Sequence, residues 1–541
     1  MSCMPNNHPP TPSLGQIGST FIAAVCSLPA GTVDMSHLLS PFIQAETELR
    51  KIFVQEPLNE TLTDLHLGLL DFFSSPKQLR ETRSRVSGAS SMISDEEFFN
   101  LYPTSYSSVE FLAAKHIFCL PPSGRRQTGV PSSVNSLLAF KERWDIFTHS
   151  ILQNLRWENV IAAGGAVQAC LQPIPLDGLS EIYHESPLYQ KSDIDLFLWG
   201  LNESEAKEKI LQIYEDVRSS TSWDLVCVRK RHVVSIHARF PFRTIQIVLR
   251  LYRSPAEILA GFDIDCACVA YNGDKILINP RAVVSMLTQC NTVDITRRSP
   301  TYKMRLRKYA DRGFEVFVPS LDRSKVNPKI LETNSGLLLR GLARLLVLED
   351  MRNSCRKLDQ FHLLNAPEAS ISGQNRQEAA KILDVHDYDP SIFSIPYGPT
   401  WNARRIKLFC ANLEKRLGLH GMAIFSLEKS SKLYDHHCEA QIREVKKKQL
   451  NGNLQSEIDW DGEPQFHQHA LVCSDSMENC LADACHFKPC LHPQQIEDSG
   501  KTGFLFPGPI QFITANPGGQ LLSGSFKPTL DVEWTKDAYE D

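Results

Sequence analysis

Three catalytic signatures are missing from this 541-residue chain. There is no Gly-x-Ser-x-Gly nucleophile elbow, no Gly-x-x-x-x-Gly-Lys-Ser/Thr phosphate loop and no His-Glu-x-x-His helix. Serine-hydrolase, P-loop and zincin chemistry therefore lack support. Long apolar runs are scarce: Phe21–Ala30 is too short to span a bilayer, so no membrane partner is expected. The polar, Pro-rich start MSCMPNNHPPTPS has no secretory pattern. No repeat of fixed period appears, which excludes an ankyrin-like array. Charge of one sign is also lacking. A formal net charge of −5 does not announce a nucleic-acid binder, although local basic stretches can hide inside it.

What is present is the composition of a soluble globular protein, with 42% hydrophobic and 22% charged residues. The length suggests roughly two to four structural units. The 15 cysteines are odd in number, and some, such as Cys266 and Cys268, sit in apolar runs. They read as small hydrophobes in a reducing, intracellular compartment, with cytoplasm and nucleus undistinguished.

The pattern along the chain divides it into five parts. Residues 1–32 read as a disordered N-terminus. Residues 33–139 read as helical and irregular, with a leucine-rich helical pattern to about 75 and linker-like stretches such as PPSGRRQTGVPSS beyond. Residues 140–320 alternate helices and strands and read as an α/β (α+β) domain, a mixed sheet with flanking helices. Residues 321–430 read as helical, and residues 431–541 as an irregular C-terminal tail, polar and His/Cys-rich, then Gly/Pro-rich. The spacings around Cys480, Cys485, Cys490 and His492 match no common zinc finger or ribbon, so a polar tail is favoured over a zinc site.

The chemistry concentrates in the third part. A strand over 159–163 leads into Gly164-Gly165 and a short apolar helix over 166–171. After a long insert comes a buried strand that begins Ser192-Asp193-Ile194-Asp195-Leu196. Residues two apart on a strand share a face, so Asp193 and Asp195 present two carboxylates side by side while Ile194 and Leu196 enter the core. Two such charges repel unless a cation lies between them. Oxygen ligands of this kind suit Mg²⁺, bound through carboxylates and substrate phosphates. A Gly-Gly turn lets backbone approach a phosphate, and the helix start that follows favours anions. An Asp-x-Asp or a Gly-Gly alone is common; the order strand, turn, helix, strand is what gives the pair weight. Arg297, Arg298, Lys303, Arg305, Arg307, Lys308 and Arg312 crowd the segment after the domain. They read either as a track for triphosphate or RNA backbone, or as a solvated helix face. Arg229-Lys-Arg231 offers the same two readings less strongly. Tyr302 and Tyr309 read as core or rim residues sooner than as stacking platforms.

The segment Val160-Ile-Ala-Ala-Gly-Gly-Ala-Val-Gln168, followed by Asp193-Ile-Asp-Leu196, resembles the head of the polymerase-β-type nucleotidyltransferase superfamily. It is most similar to the tRNA CCA-adding enzyme and bacterial poly(A) polymerase branch. Asp263-Ile-Asp-Cys-Ala-Cys-Val-Ala-Tyr271 resembles a later element of that family, and Arg305–Glu315 its neck helix. The same core is similar to that of uncharacterised fungal and protist proteins. The resemblance implies a nucleotidyltransferase-type fold over about a third of the chain. It implies two Mg²⁺ ions, with Mn²⁺ able to substitute, on catalytic and metal-binding Asp193 and Asp195. It further implies a nucleoside triphosphate held by Gly164, Gly165, Ser192, Asp263 and Arg305. The acceptor hydroxyl would belong to RNA, reached through residues 297–312, to a protein or to a small molecule.

Two departures stand against it. Gln168-Ala169 replaces the family's Arg-Asp, and Gln246 stands where many members carry a third acid. These raise the alternative of a nucleotidyltransferase fold without catalysis, serving as a nucleotide-sensing or protein-interaction module through its helical flanks. Asp263 or Asp265 could supply the missing carboxylate.

Overall fold

The computed structural model describes residues 16–29, 36–54, 66–83, 115–229, 233–299, 302–332, 339, 341–353, 397–403, 405–406, 471–473, 512–513 and 530–539. The helical pattern expected over 360–430 and the His/Cys cluster lie almost wholly outside them. So do Lys230 and Arg231.

The strands, numbered in chain order, are β1 (Leu70–Asp71), β2 (His116–Ile117), β3 (Val160–Ala163), β4 (Ile194–Trp199), β5 (Val226–Arg229), β6 (Val233–His237), β7 (Ile245–Tyr252), β8 (Val269–Tyr271), β9 (Ile276–Ile278), β10 (Cys290–Thr292), β11 (Glu315–Phe317) and β12 (Leu471–Cys473). Nine of them form one sheet in the order β1-β9-β8-β3-β4-β7-β6-β5-β12. Pairing is antiparallel except between β4 and β7, which run parallel. A smaller sheet joins β10, β11 and β2. Helices flank both, so the fold is α/β with a mixed sheet, as the alternation of patterns predicts.

The central strand shows why. Ile194, Leu196 and Leu198 on β4 have no solvent exposure and enter the main core. Each burial contributes roughly 1.5–3 kcal/mol. The intervening positions form the other face, where Phe197 joins a second apolar cluster with Ile161, Ala163, Ile258 and Leu259. The helix Pro255–Ala260 covers that cluster, starting on a Ser254 cap that accepts the Glu257 amide. Asp195 lies one residue pair before Phe197 on this face, at the edge of the apolar cover.

A helix runs from Glu203 to Ser219, and Asn202 and Glu205 form the reciprocal capping box that their spacing signals. The helix Leu137–Thr148 ends where His149 takes a left-handed conformation at φ 53°.

Three expectations need correction. Residues 17–27 are not disordered: they form a helix that buries Ile17, Phe21 and Val25, spaced four apart on one stripe. The leucines near 70 are not helical: Leu70 belongs to β1, paired with Ile278. The end of the chain is not irregular throughout. Asp531–Thr535 is helical and buries Trp534, while Ala538 and Tyr539 pin the segment through hydrogen bonds to Asn327, Ser320 and Asp322. Phe21, Leu196, Leu346 and Trp534 all belong to one continuous core.

Residues 120–131 are irregular, as their composition suggests, but they are held firmly. Glu315 accepts from the Leu120 amide at 2.7 Å and pairs with Arg125 at 2.5 Å. Arg126 donates to Gln172.

Candidate active site

The two carboxylates open β4, on the face away from the main core. Asp193 and Asp195 are both half-buried. Asp195 pairs in register with Gln246 on β7, and Gln246 Nε2 donates to Asp193 Oδ2 at 2.6 Å. The amide thus lies beside both acids. Burial holds the Asp195 carboxyl up at about 6, against the pull of Lys308 and Arg305. A carboxylate whose charged form is disfavoured this way gains from a cation.

The strand start is fixed from below by Arg243, which has 1% exposure. Its guanidinium donates to the carbonyls of Phe147, Tyr189 and Ser192, each at 2.9 Å, and to that of Tyr183. The long insert between Gly165 and Asp193 is thereby clamped to the root of β7. Ile194 N donates to Thr244 O at 2.9 Å, which continues the clamp into the sheet.

Gly164 and Gly165 follow β3, the neighbour of β4. Gly164 has φ 87° and ψ −136°, a backbone open to glycine and strained for other residues. At Gly165 a Cβ would come within 2.9 Å of the Tyr309 hydroxyl. The turn is therefore pressed against the helix Tyr302–Asp311.

That helix and the residue after it carry Arg305, Lys308 and Arg312, spaced three and four apart and so on one face. Arg305 ion-pairs with Asp263 and donates to Ser299 Oγ at 2.7 Å. Arg312 donates to Ser192 Oγ at 2.6 Å and to the Leu188 carbonyl. Its other terminal nitrogen, Nη1, is buried without a hydrogen-bond partner, 3.8 Å from the Cβ position of Gly165. Lys308 is exposed by area, but crowding at its ammonium, followed by Arg312, pushes its pKa down to about 8. Asp193 and Asp195 act in the opposite direction.

The residues read from the sequence come together unequally. Asp193 and Asp195 share one face at the start of β4, with Arg305 in electrostatic reach of Asp195, and Gly164 and Gly165 follow the neighbouring strand β3. Ser192 is buried and engaged by Arg312, so it positions that arginine. Asp263 is buried and pairs with Arg305 through Oδ2. Asp265 is excluded from the site: it pairs with buried Arg281 at 2.7 Å and accepts from the Thr292 amide. That pair belongs to an internal ion cluster with Glu46, Arg297 and Asp294.

Much of the basic stretch is internal as well. Arg297, Arg298, Lys303, Arg307 and Arg312 are all buried, which leaves Arg305 and Lys308 as the more accessible charges of the run. Tyr302 and Tyr309 are buried core residues. Gln168 is fully buried and offers no polar group to solvent at the turn. Arg243 was not legible as a site residue; Lys308 and Arg312 were legible only as members of a charge run. Their three- and four-residue spacing from Arg305 is the signal that singles them out.

Among the described residues no group of three or more His, Cys, Asp or Glu side chains is placed to hold a metal. The acid pair alone, with substrate oxygens, fits a hard cation such as Mg²⁺. No helix among the described residues is long and apolar enough to cross a membrane.

Comparison with known proteins finds that the model of the Gabija anti-defense 2 family matches residues 138–289. The matched stretch holds β3 to β9, with the glycine turn, both acids, Gln246 and Asp263, and ends before the basic helix. An uncharacterized protein of Acanthamoeba polyphaga mimivirus is 32% identical over 208 residues, which is 36% of this chain and 43% of that protein. The chain thus spans less than half the length of that relative.

Proposed function

We propose that this cluster of acids and cations is the active site of a Mg²⁺-dependent nucleotidyltransferase, moving a nucleotidyl group from a nucleoside triphosphate to a hydroxyl. The observation that carries the reading is the juxtaposition of Asp193 and Asp195 with Arg305, Lys308, Arg312 and the Gly164-Gly165 turn. An acid pair beside basic side chains and a glycine turn suits one ligand in particular: a phosphate chain that brings a cation with it.

In such a reaction the acceptor oxygen bonds to the α-phosphorus, the bond from that phosphorus to the bridging oxygen breaks, and pyrophosphate leaves. Bound Mg²⁺, held by Asp193 and Asp195, supplies charge stabilisation at the phosphates. The chain's own groups do the rest. Lys308 neutralises negative charge beside the acids. Arg312 Nη1 offers an unused donor beside the turn. Asp263 orients Arg305, and Arg243 holds the strand start that carries both acids.

A second reading is favoured by one observation. Gln246 places a neutral amide, not an acid, beside the pair, which fits a module that binds a nucleotide without transferring it. The anti-defense name of the matching family states no reaction and so favours neither reading. The two separate on incubation with labelled nucleoside triphosphates and Mg²⁺. Label fixed to RNA, protein or a small molecule supports transfer. Tight, Mg²⁺-dependent binding with no fixed label supports sensing. No binding at all removes both.

A further inference from the structure

We infer that the carboxylate face holds one divalent cation, not two, and that Gln246 sets this number. The inference rests on the nucleotide reading of the same site and deepens it.

Gln246 touches Asp193 through its Nε2 and stands opposite Asp195 across the parallel β4–β7 pair. An ionised carboxylate only accepts hydrogen bonds, so the amide must turn its NH₂ toward Asp193. Two consequences follow. One lone pair of Asp193 is occupied by a hydrogen bond. The partly positive NH₂ also occupies ground beside the pair where a second cation would need a negative ligand.

The charge count agrees. Asp193 and Asp195 supply two negative charges, which one divalent cation balances. Asp263 is buried against Arg305 and Asp265 against Arg281. A second divalent ion would lie about 3.5–4 Å from the first in a two-metal arrangement. At that separation mutual repulsion demands bridging negative charge. Here it would meet the Gln246 NH₂ together with Lys308, which is in electrostatic reach of both acids. The protein side of the site is therefore complete with one ion, whose remaining ligands are nucleotide phosphates and water.

Electron paramagnetic resonance of the full chain with Mn²⁺ and α,β-methylene ATP tests this without turnover. Two Mn²⁺ ions at such a distance give a spin-coupled spectrum; a single bound ion does not. The wild type should show protein-bound Mn²⁺ with no coupled pair. Gln246→Glu, nearly isosteric and carrying a third charge, should show the coupled pair, and Gln246→Asp gives the same comparison if the glutamate variant melts early. A coupled pair in the wild type overturns the single-ion assignment while leaving the nucleotide reading intact. An uncoupled spectrum from folded acidic variants overturns the role of Gln246. Absence of any protein-bound Mn²⁺ overturns the metal reading itself, a failure distinct from the other two.

Discussion

Arg312 donates to Ser192 Oγ at 2.6 Å, which ties the end of the basic helix to the residue just before Asp193. One contact thereby joins the two charged halves of the site: acids on the strand, cations on the helix. It also keeps the remaining face of Arg312 beside the glycine turn.

The turn and the helix are fitted closely enough to test by substitution. Gly165→Ala places a methyl 2.9 Å from the buried Tyr309 hydroxyl, so one of the two must shift. The expected cost is about 1–3 kcal/mol. Tyr309→Phe removes the clashing oxygen, so the double variant should recover most of that loss. A double-mutant cycle by urea denaturation measures it. Additive losses would mean that the two residues do not meet.

Arg243 should tolerate no replacement. Truncation to methionine leaves the carbonyls of Tyr183, Tyr189 and Ser192 in the insert, and that of Phe147, without their donor, and we expect a loss of more than about 3 kcal/mol. Lysine keeps the charge but lacks the planar, five-donor head, so it should rescue little. A loss below about 1 kcal/mol in either variant would show that the insert is held by other contacts.

Asp195 gives the fold a pH dependence of definite sign. Its carboxyl is raised from 3.8 to about 6, so the folded state disfavours the charged form. Stability from this group is fully present below about pH 4 and is lost as the pH rises toward about 6. In metal-free protein at about pH 8, Asp195→Asn should therefore be more stable than the wild type by about 1 kcal/mol, after allowance for its partial exposure. At about pH 4 the two should melt together. Added Mg²⁺ should raise the wild-type melting temperature at about pH 8 and leave the variant unmoved.

Lys308 acts on binding. Its pKa near 8 means that the free site loses this charge as the pH passes that value. Nucleotide affinity should fall above about pH 8, with proton uptake on binding, and the fall should be smaller in Lys308→Arg. Lys308→Met should weaken binding about tenfold at neutral pH, roughly 1.4 kcal/mol. Isothermal titration in two buffers of different ionisation enthalpy reads both effects.

The sequence was informative where structure is local. The order strand, glycine turn, helix and acid-bearing strand could be read directly, because alternation fixes which side chains share a face. The Asn202–Glu205 capping box was legible for the same reason. What escaped is built from distant partners. Glu46 and Arg281 are 235 positions apart, and their ion pair leaves no local pattern. The helix that buries Trp534 looks like an acidic tail because only one face of it is apolar. Arg243 sits in an ordinary strand-leading position, and its role depends on carbonyls presented by an insert whose path no periodicity predicts. Most of the charge run after residue 296 turned inward for the same reason: its partners lie on other elements.

The most direct test of the account is label incorporation from radiolabelled ATP, CTP, GTP and UTP, with Mg²⁺ or Mn²⁺, into total RNA and protein. The Asp193→Ala/Asp195→Ala double variant runs alongside, its fold checked by circular dichroism. The account predicts incorporation by the wild type and none by the folded variant. Equal incorporation by both would contradict it, as would none by the wild type with any nucleotide and either metal.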